Sequence, residues 1–294
     1  MKNTELVLLD NLSTQRYSSL YDLPVNGKYS FIEADVIDFE FRRILNQDDI
    51  IIHLAAMTDA ANSFKNAKLV ENNNYRATEN AAQACARAGA KLIMISSTSV
   101  YGTQEKLVSE NCSEEELKPQ SPYAITKLRE EKLVKQISQT ENLKSVICRF
   151  GTIYGISPGM RFHTAVNKFC WQAVMGMPLT VWRGAYEQKR PYLNINDAVN
   201  ALKLIINTEL FECDTYNVIS QNLSVKDVID TIQEFIPNLK IDFVDNEIMN
   251  QLSYEVSFDK ISALGYAVEG SIKSGVKSTI ELLKQAQSSK LTAL

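Results

Sequence analysis

The sequence predicts an α/β fold built on a mostly parallel, doubly wound sheet, and three observations point there. Short apolar runs alternate with amphipathic helical stretches through the first two-thirds of the chain. The runs are near-continuously apolar, as strands covered on both faces are. Small or polar residues follow each run, and sheets of this kind place ligands at the carboxyl ends of their strands.

The runs Leu6–Leu9, Tyr29–Ile32, Ile50–Leu54, Leu92–Ser96 and Val146–Phe150 are expected as buried strands, and Thr215–Val218 as a return to the sheet. Helices are expected over Leu69–Ala88, Pro122–Ile137 and Asp197–Ile206. The strand ends carry Asp10-Asn11, Asp35-Val36, Ala55–Thr58, Ser97-Thr98-Ser99 and Gly151-Thr152. Ser157–Lys189 holds glycines, two prolines and both tryptophans, which suits an irregular lobe facing a substrate. Beyond Ser224 a short strand is expected near Lys240–Val244 and a closing helix near Ile272–Gln285.

A charged fraction of 22% and an apolar fraction of 45% describe an ordinary globular chain of 294 residues. A net charge of −4 argues against general affinity for nucleic acid or anionic membrane. The five cysteines form no C-x-x-C pair, and His53 and His163 have no companion at ligand spacing. Reduced thiols, no metal site and a cytoplasmic protein without a membrane anchor are therefore expected.

Tyr123 and Lys127 lie four apart on a predicted helix, so their side chains share a face. A phenol titrates near ~10, and a neighbouring ammonium favours the phenolate, so the pair can serve as a base. Such pairs are common on helix surfaces, and the context gives this one its weight. Ser121-Pro122 caps the helix start, and upstream Lys91–Gly102 forms a strand ending in hydroxyls and Val100-Tyr101-Gly102. Here the chain resembles the extended short-chain dehydrogenase/reductases, the NAD-dependent epimerase/dehydratase family, and especially its UDP-galactose 4-epimerase branch.

The resemblance implies Ser97 as catalytic hydroxyl, Tyr123 as base and Lys127 as holder of the nicotinamide ribose. Ser96, Thr98 and Ser99 are close enough to share the part of Ser97, and strand-end capping accounts for at least two of the four. It further implies that Asp10 and Asn11 meet the adenosine ribose, favouring NAD over NADP, and that Asp35 and Val36 meet adenine. His53-Leu54-Ala55-Ala56 resembles the stretch beneath the cofactor. Asn74, in Asn74–Asn80, resembles the family's structural or proton-relay asparagine. Thr98, Asn167 and Arg190 fall where relatives bind the nucleotide sugar; polar helix surface is the alternative for Asn167. For Arg190, whose planar fork suits phosphate, the alternative is an ion pair with Asp197 or Glu187.

The implied architecture is a Rossmann-like, NAD-binding core over 1–153 and 190–220, with an α+β substrate lobe over 154–189 and 221–294. The family's first strand and Gly-x-x-Gly-x-x-Gly loop occur nowhere in the sequence. The chain is expected to begin just before the second strand, leaving two rows of unpaired backbone at the sheet centre. A late start codon, a truncation or a substituting segment would each account for this, with Met1–Thr4 fitting the tail of the missing helix. Weak NAD binding and aggregation are the expected consequences.

The activity implied is 4-epimerisation of a nucleotide hexose through a 4-keto sugar, with a homodimer by analogy. A 4,6-dehydratase is disfavoured because Thr98-Ser99 replace the Asp-Glu pair those enzymes carry. A 4-keto reductase, a decarboxylating relative and a non-catalytic pseudoenzyme remain as alternatives.

Overall fold

In the computed structural model of the chain, residues 5–58, 60–104, 107–245 and 253–291 are described, and Met1–Thr4 lie outside them. Strands β1 (Glu5–Asp10), β2 (Lys28–Glu33) and β3 (Ile50–His53) precede helices α1 (Ala60–Ser63) and α2 (Ala67–Ala88). Then come β4 (Lys91–Ser97), α3 (Pro122–Glu141), β5 (Lys144–Phe150), β6 (Thr152–Tyr154), α4 (Ala165–Val174), β7 (Leu179–Trp182) and β8 (Lys189–Asn194). The rest comprises α5 (Ile195–Asn207), β9 (Glu212–Val218), β10 (Gln221–Ser224), α6 (Val225–Phe235), β11 (Ile241–Val244), α7 (Asp259–Ser262) and α8 (Ile272–Leu291).

The predicted parallel sheet is present as β3-β4-β5-β9, every pairing parallel. Successive side chains of β4 go to opposite faces. Leu92 and Met94 pack with Cys85, Val134 and Ile137 from α2 and α3. Ile93 packs on the other side with Ala201 and Ile205 of α5. Helix α2 stops where Gly89 takes the left-handed conformation at φ +70°, and α3 stops at Asn142 at φ +56°.

A second core joins α4, α6 and α8 through Val166, Phe169, Val228, Ile232, Val276 and Ile280. The segment expected to be irregular thus contains both α4 and β7. Its prolines and glycines flank an apolar pattern at 166, 169, 170, 173 and 174, a helical period that buries one face. β11 pairs in parallel with β7, and β8 lies between β6 and β10. Among the described residues, no helix is long and apolar enough to cross a membrane, and no cluster of three His, Cys, Asp or Glu could hold a metal.

β1 and β2 form a separate parallel pair. Among the described residues nothing pairs with the other edge of β1 or of β3, so the expected unpaired rows are present and no described segment substitutes. The expectation that β1 and β2 are buried is corrected: every residue of both is exposed or half-buried, with Leu6 at 45%, Val7 at 40% and Phe31 at 39%. Pairing on one edge leaves β1 with Leu9 as its contribution to the apolar cluster around Val36, Phe41, Ala77 and Ala81. Backbone amides of β1 should therefore exchange with solvent at least ~100-fold faster than those of β4 and β5 in native-state hydrogen exchange.

Candidate active site

Extended backbone at Ser97 (φ −141°, ψ 140°) runs from the end of β4 into a 3-10 turn over Thr98–Tyr101. Gly102 closes that turn at φ +64°, where an added Cβ would lie 1.8 Å from the Lys118 carbonyl oxygen. The four hydroxyls diverge. Ser96 donates to Glu131 Oε1 at 2.5 Å. Thr98, only 2% exposed, donates to the Phe150 carbonyl at 3.4 Å and lies 3.3 Å from the Tyr254 hydroxyl. Ser99 donates its hydroxyl to Ser97 at 2.8 Å. Ser97 is the member close enough to the Tyr123 phenol to pull its pKa down.

Tyr123 is held in the first turn of α3, which Ser121 caps by accepting from the Ala124 amide at 3.1 Å. Burial pushes its phenol above the ordinary value, while Lys127, Ser97 and Arg161 pull down and Glu130 pushes up. Lys127 pulls the phenol in the direction expected of it, and burial is the larger influence. Lys127 is 3% exposed and donates to Glu130 Oε2 at 2.9 Å. Burial works against its charge, but Glu130 and Tyr123 more than offset that, so the ammonium is held above its usual range.

A cavity of about 290 Å³ opens at the carboxyl ends of β1, β2 and β3. Its lining includes Asp10, Asn11, Asp35, Val36, Leu54, Ala55 and Ala56, so the residues predicted for the cofactor's adenosine side converge. Asp10 accepts from the Leu12 amide at 2.7 Å, and Asn11 donates to Asp35 at 3.0 Å. The carboxylates suit ribose hydroxyls, and small Ala55, Ala56 and Ala77 leave room beside apolar Val36. These residues fit a nucleoside. No glycine turn lines the cavity; among its described lining residues Arg161 is the single cation, donating to the Thr58 hydroxyl.

Other predicted residues are placed differently. Asn74 is fully buried and spends its amide on Met57, accepting from its N–H at 2.8 Å and donating to its carbonyl at 3.0 Å. Asn167 is also internal, accepting from the Gly155 amide at 3.2 Å and donating to the Arg161 carbonyl at 3.1 Å. Arg190 pairs with neither of the carboxylates considered for it: Asp197 instead accepts from Ser220, Glu269 and Gly270. The Nε and Nη2 of Arg190 are buried without a hydrogen-bond partner. Such donors are costly to leave unpaired, which marks Arg190 as a side chain suited to an anionic ligand.

Sequence reasoning missed Glu130, Glu131, Arg149, Arg161 and Tyr254. Glu131 meets Arg149 in a two-pronged pair at 2.9 and 2.7 Å, with 1% and 3% of the side chains exposed. Arg149 also donates to Tyr101, which donates to Asn217. A hint lay in two adjacent glutamates just after Lys127, on a helix face that must meet the sheet. Tyr254 left none, because it comes from about 130 residues downstream of Tyr123.

The model of the NAD dependent epimerase/dehydratase family matches residues 1–218. The chain belongs to the NAD-dependent epimerase/dehydratase family. A relative named uncharacterized UDP-glucose epimerase YtcB, from Bacillus subtilis (strain 168), is 30% identical over 224 residues, 74% of this chain and 68% of that protein. The dTDP-D-glucose 4,6-dehydratase of Homo sapiens is 26% identical, with 96% of this chain and 83% of that protein covered. A trifunctional UDP-glucose 4,6-dehydratase of Arabidopsis thaliana is 26% identical, and the match spans only 43% of its length.

Among solved structures, UDP-glucuronic acid 4-epimerase from Bacillus cereus, with UDP-glucuronic acid and NAD, superposes at TM-score 0.87 and 24% identity, covering 96% of this chain and 91% of that one. UDP-glucose 4-epimerase of Thermus thermophilus, with NAD, superposes at 0.81 and 22%, covering 95% and 91%. At these identities the likeness is one of fold. This epimerase/dehydratase chain shares their Rossmann-like architecture.

Two outcomes follow from the buried charges. Arg149→Met should destabilise the chain by about 3–5 kcal/mol in denaturant unfolding, because it strands the Glu131 carboxylate. Burial lowers His53 from 6.5 to about 3. The unfolded chain then binds a proton that the folded one refuses, so stability is lost as pH falls from 6.5 toward 3, by at most ~1.4 kcal/mol per pH unit. In His53→Gln that contribution to the acid slope should vanish from unfolding curves taken across the window.

Proposed function

We propose that this chain is an NAD-dependent nucleotide-sugar epimerase acting at C4 of a nucleotide-bound hexose. The observation that carries the reading is the convergence of the Ser97 hydroxyl at the end of β4 and the Lys127 ammonium of α3 on the Tyr123 phenol. Family membership and relatives named as UDP-glucose epimerases support the substrate class. In the proposed division, 1–153 with 190–220 holds the cofactor, and 154–189 with 221–294 holds the sugar nucleotide.

Asp10 and Asn11 hold the adenosine ribose, and Asp35 and Val36 flank the adenine. Leu54, Ala55 and Ala56 lie beneath the cofactor, and Asn74 fixes the Met57 backbone that borders it. NAD, when bound, supplies the redox chemistry at the sugar carbon. Tyr123 takes the proton from the 4-hydroxyl and returns it to that same oxygen once the 4-keto sugar has presented its other face to the cofactor, while Ser97 donates to the oxygen as it becomes a carbonyl. Lys127 steadies the phenolate and donates to ribose hydroxyls. Arg190 clamps the substrate diphosphate, with Thr98 and Asn167 shaping the pocket from behind.

A homodimer belongs to the same proposal. Exposed Leu69 and Ile125 on α2 and α3 support an apolar helical interface, and light scattering after gel filtration reads the outcome.

The test is incubation with NAD and UDP-glucose, UDP-galactose or the corresponding uronic acids, followed by NMR of the sugar. Interconversion at C4 is expected. Loss of water to a 4-keto-6-deoxy sugar would instead assign the dehydratase reaction. Tyr123→Phe should lower turnover by about 10²–10⁴-fold while nucleotide-sugar affinity in calorimetry changes little. Near-normal turnover in that variant would overturn the role of Tyr123. Arg190→Ala should weaken UDP binding at least ~10-fold, equivalent to ~1.4 kcal/mol.

A further inference from the structure

Glu130 has no part in the motif that singles out Tyr123 and Lys127, yet its side chain is completely buried against them. Its Oε2 accepts from Lys127 Nζ at 2.9 Å and from the Thr78 hydroxyl at 2.8 Å. The Thr78 oxygen lies 3.0 Å from His53 Nε2. The second carboxylate oxygen, Oε1, is buried without a partner. Four side chains from three elements, β3, α2 and α3, thus form one polar line beneath the candidate site.

The polarity of that line can be assigned. His53 is neutral down to about pH 3, so one ring nitrogen carries a proton and the other does not. Thr78 directs its single proton at Glu130, so His53 Nε2–H donates to the Thr78 oxygen. Lys127 also donates to Glu130. Every donor along the line points toward one carboxylate, an arrangement that suits a carboxylate bearing its full negative charge.

Neither ion of the pair is tolerable alone. A lysine this buried and without an anion tends to release its proton, and a buried carboxylate without a cation tends to take one up. Glu131 cannot stand in for Glu130. Successive helix residues project about 100° apart, and Glu131 is already engaged by Arg149 and Ser96. The two neighbouring glutamates divide the work, one toward β5 and one toward Lys127. With a single described bond to Glu130, the ammonium keeps two N–H donors for other groups.

We infer that Glu130 is the positioning residue for Lys127: with Thr78 and His53 behind it, it holds the ammonium beside Tyr123 and leaves two of its donors unspent on the carboxylate. The inference rests on the reading of Lys127 as the active-site lysine. The charged or titratable groups facing Lys127 are Tyr123, Glu130 and Glu131 from α3 and His53 from β3. Arg161 also faces Tyr123, as does Tyr254.

The test is titration of Lys127 by NMR in protein carrying ¹³C-labelled lysine, with its signal assigned by disappearance in Lys127→Met. In Glu130→Gln the midpoint should fall by at least about 1 pH unit, and in Glu130→Asp by less, since the shorter carboxylate keeps its charge farther away. Turnover with the nucleotide sugar should show kcat falling at little change in KM, and its alkaline limb moving down in step with the lysine. An unchanged midpoint in folded Glu130→Gln overturns the inference. A moved midpoint with an unmoved alkaline limb reduces the pair to a structural tie and overturns it as well. If Glu130→Gln does not fold, Glu130→Asp decides on the same two readouts. If the native chain converts no nucleotide sugar, the proposed function fails by itself. The lysine midpoint and the unlabelled sugar assay therefore separate the two failures.

Discussion

The buried pair of Arg149 and Glu131 is the contact on which the geometry of the site depends. Arg149 sits on β5 and Glu131 on α3, and the two-pronged contact fixes how far and at what rotation the helix lies over the sheet. Ser96, one residue before Ser97, donates to the same carboxylate, so the end of β4 is tied to the same point. Once those three elements are locked, Tyr123 in the first turn of α3 must lie near Ser97. A buried ion pair is weak evidence for net stability, because desolvation cancels much of its attraction. Its directional demand is another matter, because only one placement of the helix satisfies both prongs.

Helix α3 carries its polar residues inward as well as outward. Thr126, Lys127, Glu130 and Glu131 are all buried, a pattern that opposes the usual apolar stripe. Glu131 meets Arg149 of β5 and Glu130 meets Thr78 of α2, while Lys127 pairs with Glu130 within the helix. The helix is thereby anchored to both of its neighbours by charge, and Leu133, Val134 and Ile137 supply the apolar contact farther along. Rigidity at the amino-terminal half of α3 follows, which is where the phenol and ammonium stand.

Much of the fold was legible. Apolar runs located every strand of the main sheet to within a few residues, because parallel strands covered on both faces need such runs. The Ser121-Pro122 cap located the start of α3. Of the candidate site, the sequence pointed to the local part through the family resemblance: Ser97, Tyr123 and Lys127 in two adjoining elements, and the strand-end residues around Asp10, Asp35 and Ala55. Less legible was anything that depended on distant partners. Asn167 looked like a surface residue or a ligand contact, and it proves to hold two loop backbone groups. The exposure of β1 was misjudged because four apolar residues in a row say nothing about whether a neighbour covers them.

By itself the sequence determined the α/β alternation, the family and the residue types placed at the strand ends, since these follow from local periodicity and short-range spacing. Only the tertiary structure decided where Ser96, Thr98 and Ser99 spend their hydroxyls, and that burial of the Tyr123 phenol outweighs the downward pull of Lys127. It alone brought Thr78 and His53 behind Glu130 and left two guanidinium nitrogens of Arg190 without a partner among the described residues. The physical reason is common to all four. Burial and hydrogen-bond partnership are set by groups far away in the chain, and a one-dimensional pattern records a side chain's chemistry without recording what desolvates it.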